Sequence, residues 1–196
     1  MNISSIKEAL KNSEFRSIEF KENFGELLVT VSKSELYEFL VFLRDSRALR
    51  FRQLIDILGV DYPSKENRFE VIYLLLSHEF NIRIGVKVAI QDNEPLPSVI
   101  DIFPVANWFE REAFDMYGIK FTDHPDLRRI LTDYEFEGYP LRKDFPLSGH
   151  TEVRYDDELK KVVYDPVKLS QAYRDFDFES PWEGTEYIKR EQDKKA

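Results

Sequence analysis

The sequence contains no cysteine. That excludes a disulfide, a cysteine-ligated iron–sulfur cluster, a thiolate zinc site and a thiol nucleophile, so any redox role has to be borrowed from partners. Histidine is scarce too: His78, His124 and His150 are the three in the chain. They lie too far apart in sequence to suggest a shared metal. Glycine is sparse, and no G-x-G-x-x-G follows any candidate strand, which disfavours the doubly wound dinucleotide fold. Cations are outnumbered, 28 Lys and Arg against 37 Asp and Glu, for a net charge of -9 in 196 residues. With no long basic block, such a surface repels nucleic-acid phosphates. The longest aliphatic run, VIYLLL at 71–76, falls well short of the roughly 18 apolar residues that span a bilayer. The N-terminal MNISSIKEALKNSEF lacks the apolar core and cleavage site of a secretory signal, so the protein is expected to work where it is made.

What is present is a hydrophobic share of 42%, enough for one core. ISSIKEAL sets Ile3, Ile6 and Leu10 near one face of a short helix, with Ser4 or Ser5 as its cap. FRSIEF and ELLVTV, separated by a stretch with Asn23 and Gly25, read as two strands. After Ser34, Leu36, Phe39, Leu40 and Leu43 return to helical spacing. FRQLIDILGV is assigned as a strand ended by the DYPSKEN turn, and FEVIYLLLSH and NIRIGVKVAI as hairpin partners. The order α-β2-α-β3 predicts an α+β fold, with helices packed on one face of a mostly antiparallel sheet. A core domain over 1–121 is expected, including a helix near 107–117, followed by an irregular C-terminal arm over 122–196.

ANWFEREAFDMYG carries the first candidate chemistry. Asn107 is a candidate cap, Gly118 sits at the C-cap, and Glu110, Glu112 and Asp115 share the helix with Arg111. Three carboxylates on one helix invite a metal or acid–base reading. A structural reading weighs more: Arg111 and Asp115 are spaced to pair, and Glu112 can satisfy nearby backbone groups. Next, DHPDLRRILTDYEFEGYPLRKDFPLSG places His124, Pro125, Asp126, Arg128, Arg129, Arg142, Lys143 and Asp144 on a proline-restricted backbone. Asp126 is a candidate cap for a short LRRIL segment, whose adjacent arginines must point in different directions. Arginine forks beside apolar anchors suit an interface better than catalysis without a nucleophile. Beyond lie a hairpin around DDELKK, a short helix in KLSQAYRDF, and Tyr155, Tyr164, Tyr173, Phe176, Phe178 and Trp182, too aromatic for a solvated tail.

EREAFDMYGIKFTDHPDLRRIL, GYPLRKDFPLSGHTEVRYDDELKKVV and FDFESPWE closely resemble the NuoC family, the thirty-kilodalton-type subunit of respiratory complex I, in its mitochondrial and alphaproteobacterial wording. The match is most specific from about 100 to 184. The resemblance implies a scaffold in the peripheral arm of the proton-pumping NADH:quinone oxidoreductase. On that reading the chain binds no cofactor: FMN, iron–sulfur clusters and quinone belong to partner subunits. It also implies that the arm embraces the hydrogenase-large-subunit-like, NuoD-like subunit and neighbours the cluster-bearing NuoB-like one. The implied location is peripheral, on the cytoplasmic face of the bacterial inner membrane or the matrix face of the mitochondrial one. The docking signature then comprises Glu110, Arg111, Glu112, Asp115, His124, Pro125, Asp126, Arg128, Arg129, Arg142, Lys143, Asp144 and Trp182. Tyr139 departs from the histidine common among relatives. The rival reading is a free-standing hydrolase or metal enzyme using the 110–115 carboxylates and His124.

Overall fold

A computed structural model describes residues 3–15 and 18–171. Helix α1 (Ile3–Lys11) is followed by strands β1 (Glu19–Asn23) and β2 (Glu26–Thr30), a 3-10 turn at Lys33–Glu35, and helix α2 (Leu36–Asp45). Then come β3 (Gln53–Asp61), β4 (Phe69–Ser77) and β5 (Ile82–Ile90). These five strands form one sheet in the order β1-β2-β5-β4-β3. Every pairing in it is antiparallel except β2 with β5. The α+β expectation is met.

Register explains which face is inside. Leu27, Val29, Val71, Tyr73, Leu75, Ile84, Val86 and Val88 are paired or alternate so that all point one way. They join Ile6, Leu10, Leu36, Phe39, Leu40 and Leu43 of α1 and α2 in one core. Each aliphatic or Phe side chain among them contributes about 1.5–3 kcal/mol by burial. The β1–β2 turn uses Phe24 and Gly25, both at positive φ, the backbone that suits a two-residue hairpin. Ser4 and Ser5 lie inside α1 rather than capping it, because the helix starts at Ile3.

Helix α3 (Ala106–Tyr117) lies against β3, and two short strands, β6 (Leu96–Pro97) and β7 (Phe121–Thr122), pair in parallel on either side of it in sequence. The contact with β3 is close: a Cβ on Gly59 would fall 2.6 Å from the Tyr117 ring. Val105, not Asn107, precedes the first turn of α3 and gives no side-chain cap, so the expected Asn107 cap is displaced into the helix. Gly118 does end it, at φ 77°.

The chain separates into two compact units, residues 1–149 and 150–196. The boundary expected at 121/122 is therefore displaced, because residues 122–149 have little regular structure yet pack into the first unit. In the second unit, β8 (Thr151–Asp156) and β9 (Lys161–Pro166) form the expected hairpin, its turn held by Asp156, which accepts from the Glu158 and Leu159 N–H groups. Most of the expected KLSQAYRDF helix, with Tyr173, Phe176, Phe178 and Trp182, lies outside the described residues.

Candidate functional site: charged clamps around helix α3

Residues 122–149 pose a physical problem. An irregular backbone packed on a domain cannot satisfy its own N–H and C=O groups, so other groups must. Asp115, fully buried on α3, does much of this. Its Oδ2 accepts from the N–H groups of Ile130 (2.9 Å), Leu131 (2.7 Å) and Thr132 (2.9 Å). Its Oδ1 accepts from Arg129 at 2.7 Å and from the Thr132 hydroxyl. Burial alone pushes this carboxyl up, but the Thr132 hydroxyl and the three N–H groups outweigh it and hold it far below the usual range. The expected Arg111–Asp115 pair does not form. Arg111 instead donates to the carbonyls of Arg128 and Arg129, both at 3.1 Å. Tertiary partners with unmet hydrogen bonds win over a local pair worth a few tenths of a kcal/mol.

Glu110 performs the backbone role expected of Glu112. Its carboxylate, fully buried, accepts from Val99 N–H and from the Ser98 hydroxyl, both at 2.7 Å. Burial pushes it up to about 7. The His124 ring, its side chain also buried, has Nε2 4.0 Å from Glu110. His124 Nδ1 accepts from Asp126 N–H at 3.0 Å, which leaves Nε2–H to donate to the Asn107 carbonyl at 3.3 Å. His124 thus ties the turn at Asp126 to the backbone of α3. Asp126 caps no helix, because residues 127–131 are irregular; it pairs on the surface with Arg128.

The two adjacent arginines diverge as expected. Arg128 is outward, while Arg129 turns in to Asp115 and the Gly138 carbonyl. Arg142 forms the second clamp. It donates to the Tyr117 carbonyl at 2.6 Å, pairs with Asp92 and lies between the rings of Phe69 (4.9 Å) and Tyr139 (4.7 Å). Asp61, its side chain buried, ties the same loop to the sheet by accepting from Arg68 at 2.7 and 2.9 Å and from Lys143 N–H at 2.8 Å. The Arg68 hydrogen bonds are the main reason its carboxyl is lowered. Asp144 joins through Arg68 at 2.9 Å. Sequence reasoning missed Asp61, Arg68, Asp92, Ser98 and Thr132; Lys143 is 82 positions from Asp61, beyond any local spacing signal.

Glu112, Pro125, Asp126, Arg128, Lys143 and Asp144 are exposed. Among the described residues the signature thus divides into inward clamps and an outward set. The hydrolase or metal-enzyme reading is not supported. Glu110 and Asp115 are turned to different partners, and among the described residues no group of three His, Asp or Glu side chains could hold a metal.

This geometry defines an α+β domain whose buried ions hold its own irregular segment in place. Residues 29–151 match the family described as "Respiratory-chain NADH dehydrogenase, 30 Kd subunit". The chain is 63% identical over 164 residues to the C subunit of NADH-quinone oxidoreductase from Maricaulis maris, covering 84% of this chain and 82% of that protein. The protein of the same name from Sinorhizobium medicae is 62% identical over 165 residues, with the same coverages. Among solved structures, the trypsin-resistant fragment (1–134) of Nqo5 is similar at TM-score 0.55 and 30% identity, covering 63% of this chain and 99% of that one. A chain in the membrane-bound sulfane sulfur reductase, described as an archaeal respiratory membrane complex, is similar at TM-score 0.63 and 29% identity, covering 74% and 85%. This chain belongs to the 30 Kd subunit family of respiratory-chain NADH dehydrogenase. It is one component of a membrane-associated complex I-type assembly, and the other subunits of that assembly are its partners. Among the described residues no helix is long and apolar enough to cross a membrane.

Proposed function

We propose that this chain is a structural subunit of the peripheral arm, with no catalytic residue of its own, that scaffolds the quinone-reducing module of proton-pumping NADH:quinone oxidoreductase. Electrons pass from NADH through FMN and iron–sulfur clusters to quinone in partner subunits, and this chain binds none of those groups. The carrying observation is that the buried charges of α3 and its loop are spent inside the chain. Glu110, Asp115, Arg129 and Arg142 each bond to backbone or to an opposite charge. Residues 122–196 carry the partner contacts, first the clamped stretch to 149 and then the segment from His150. The NuoD-like subunit is the chief partner and the NuoB-like subunit the neighbour, at the cytoplasmic face of a bacterial inner membrane or the matrix face of a mitochondrial one.

The test compares Arg142→Ala and Asp115→Ala with the natural chain in solubilised respiratory membranes. Assembled complex is measured by native gel, alongside NADH:quinone activity per assembled complex. Less complex at unchanged activity per complex is expected. Normal assembly with collapsed activity per complex would place these residues in the chemistry, and stoichiometric flavin or metal on the purified chain would overturn the cofactor-free reading.

A further inference from the structure

Two of the three carboxylates on α3 are consumed inside the chain; Glu112 is not. It is exposed, and its charge acts within the chain on the Tyr117 phenol, which burial raises most and Glu112 helps to raise. One turn before it stands Trp108, 57% exposed, and three residues earlier Val105, 42% exposed. Positions 105, 108 and 112 fall along one stripe of the helix surface. The indole is set against Arg111, whose guanidinium lies 5.3 Å from the ring and is itself tied to the Arg128 and Arg129 carbonyls. Next to this stripe, the segment clamped to Asp115 presents Leu131, 63% exposed.

We infer that this stripe of α3 is a docking surface for an apolar segment, bearing an arginine or lysine, of a neighbouring subunit in the assembly. A large aromatic ring on a rigid element is the kind of residue that dominates interfaces, because covering it costs little side-chain freedom. The exposed carboxylate one turn away recognises a cation by ion pairing, while the indole, which already carries Arg111 against it, supplies apolar contact area. Charge complementarity therefore selects a basic occupant. A second copy of this chain fits poorly, since two chains of net charge -9 would meet carboxylate to carboxylate. The inference rests on the chain being built into the complex, but names a surface distinct from the segment after His150.

The full-length chain carrying a photo-reactive phenylalanine analogue at position 108 tests this in intact complex, with crosslinked peptides identified by mass spectrometry. The expected product joins position 108 to one other subunit, within a few residues of an arginine or lysine. Glu112→Lys is expected to lower assembled complex about tenfold or more, and Glu112→Asp to retain most of it. The thermal unfolding of the isolated Glu112→Lys chain should match the natural one, because the side chain is exposed. Crosslinks to residues 172–196 or to a second copy, or full assembly of a Trp108→Ser/Glu112→Lys chain, would overturn the docking surface and leave the scaffold role standing. Absence of the natural chain from the purified complex would overturn both.

Discussion

Removing the Asp115 side chain tests the clamp at its centre. Asp115→Ala deletes the acceptor for three backbone N–H groups, one hydroxyl and Arg129 at once. The segment cannot recover them locally, since Ile130, Leu131 and Thr132 belong to no helix or strand. Breaking one side of a buried ion pair costs about 3–5 kcal/mol, a large share of the roughly 5–15 kcal/mol that holds a domain folded. For a unit of this size the midpoint of thermal unfolding should fall by on the order of 10 °C. Asp115→Asn keeps one acceptor oxygen and loses the charge, so it should fall between. Because folding lowers this carboxyl, its stabilisation is full above its unfolded value of about 4 and is lost as pH falls below it. The Asn variant should therefore lose part of the natural chain's acid sensitivity. Thermal melts at pH 3–7 and amide exchange at residues 130–132 are the measurements. A Tm within about 2 °C of the natural chain, with those amides still protected, would refute the clamp.

Glu110 titrates in the opposite sense: folding raises it to about 7, so its stabilisation is fullest below its unfolded value and declines as pH rises towards 7. Glu110→Gln mimics the neutral acid and should flatten stability between about pH 4.5 and 7, as denaturant midpoints across that range would show; an unchanged slope would contradict the assignment. Gly59→Ala puts a methyl 2.6 Å from the Tyr117 ring and should cost about 1–3 kcal/mol by overpacking, with Tyr117→Leu expected to relieve part of it in a double-mutant cycle. Arg142→Lys keeps the charge but loses the fork that reaches Tyr117 and Asp92 and the guanidinium set against the Phe69 and Tyr139 rings. Faster proteolysis within 139–149 is the expected readout, and natural-like resistance would mean that charge alone suffices.

The strands and helices of the first half were legible because their apolar residues recur with the period of the element that buries them, as Leu36, Phe39, Leu40 and Leu43 do on α2. Helix ends were less so. Asn107 has the chemistry of a cap, but α3 starts a residue before it, where Phe103 already accepts from Ala106 N–H. The charged residues of the site were legible as a set, through resemblance and through their density on α3 and its loop. Their roles were not. Arg111 and Asp115 have ideal spacing for a helix pair, yet each serves backbone groups from 15 or more residues away. Asp61 gives no local sign that it will hold Lys143. Partner choice here is a tertiary property, decided by which buried polar group would otherwise be left unpaired.

That division of labour bears on why the signature is charged at all. Apolar packing could hold 122–149 against the domain, but it could not satisfy the N–H and C=O groups of a segment without regular structure. A carboxylate that gathers three successive N–H groups does so from one side chain, and its charge is balanced by Arg129, which reaches on to the Gly138 carbonyl. Arg142 and Asp61 repeat the arrangement at the other end of the segment. The backbone is fixed while Leu131, Tyr134, Leu141 and Leu147 remain exposed. Buried ions on the inside thus leave the outer, apolar side chains of an irregular segment in set positions. An interface needs that rigidity, because partner contacts made by already ordered side chains forfeit less entropy on assembly.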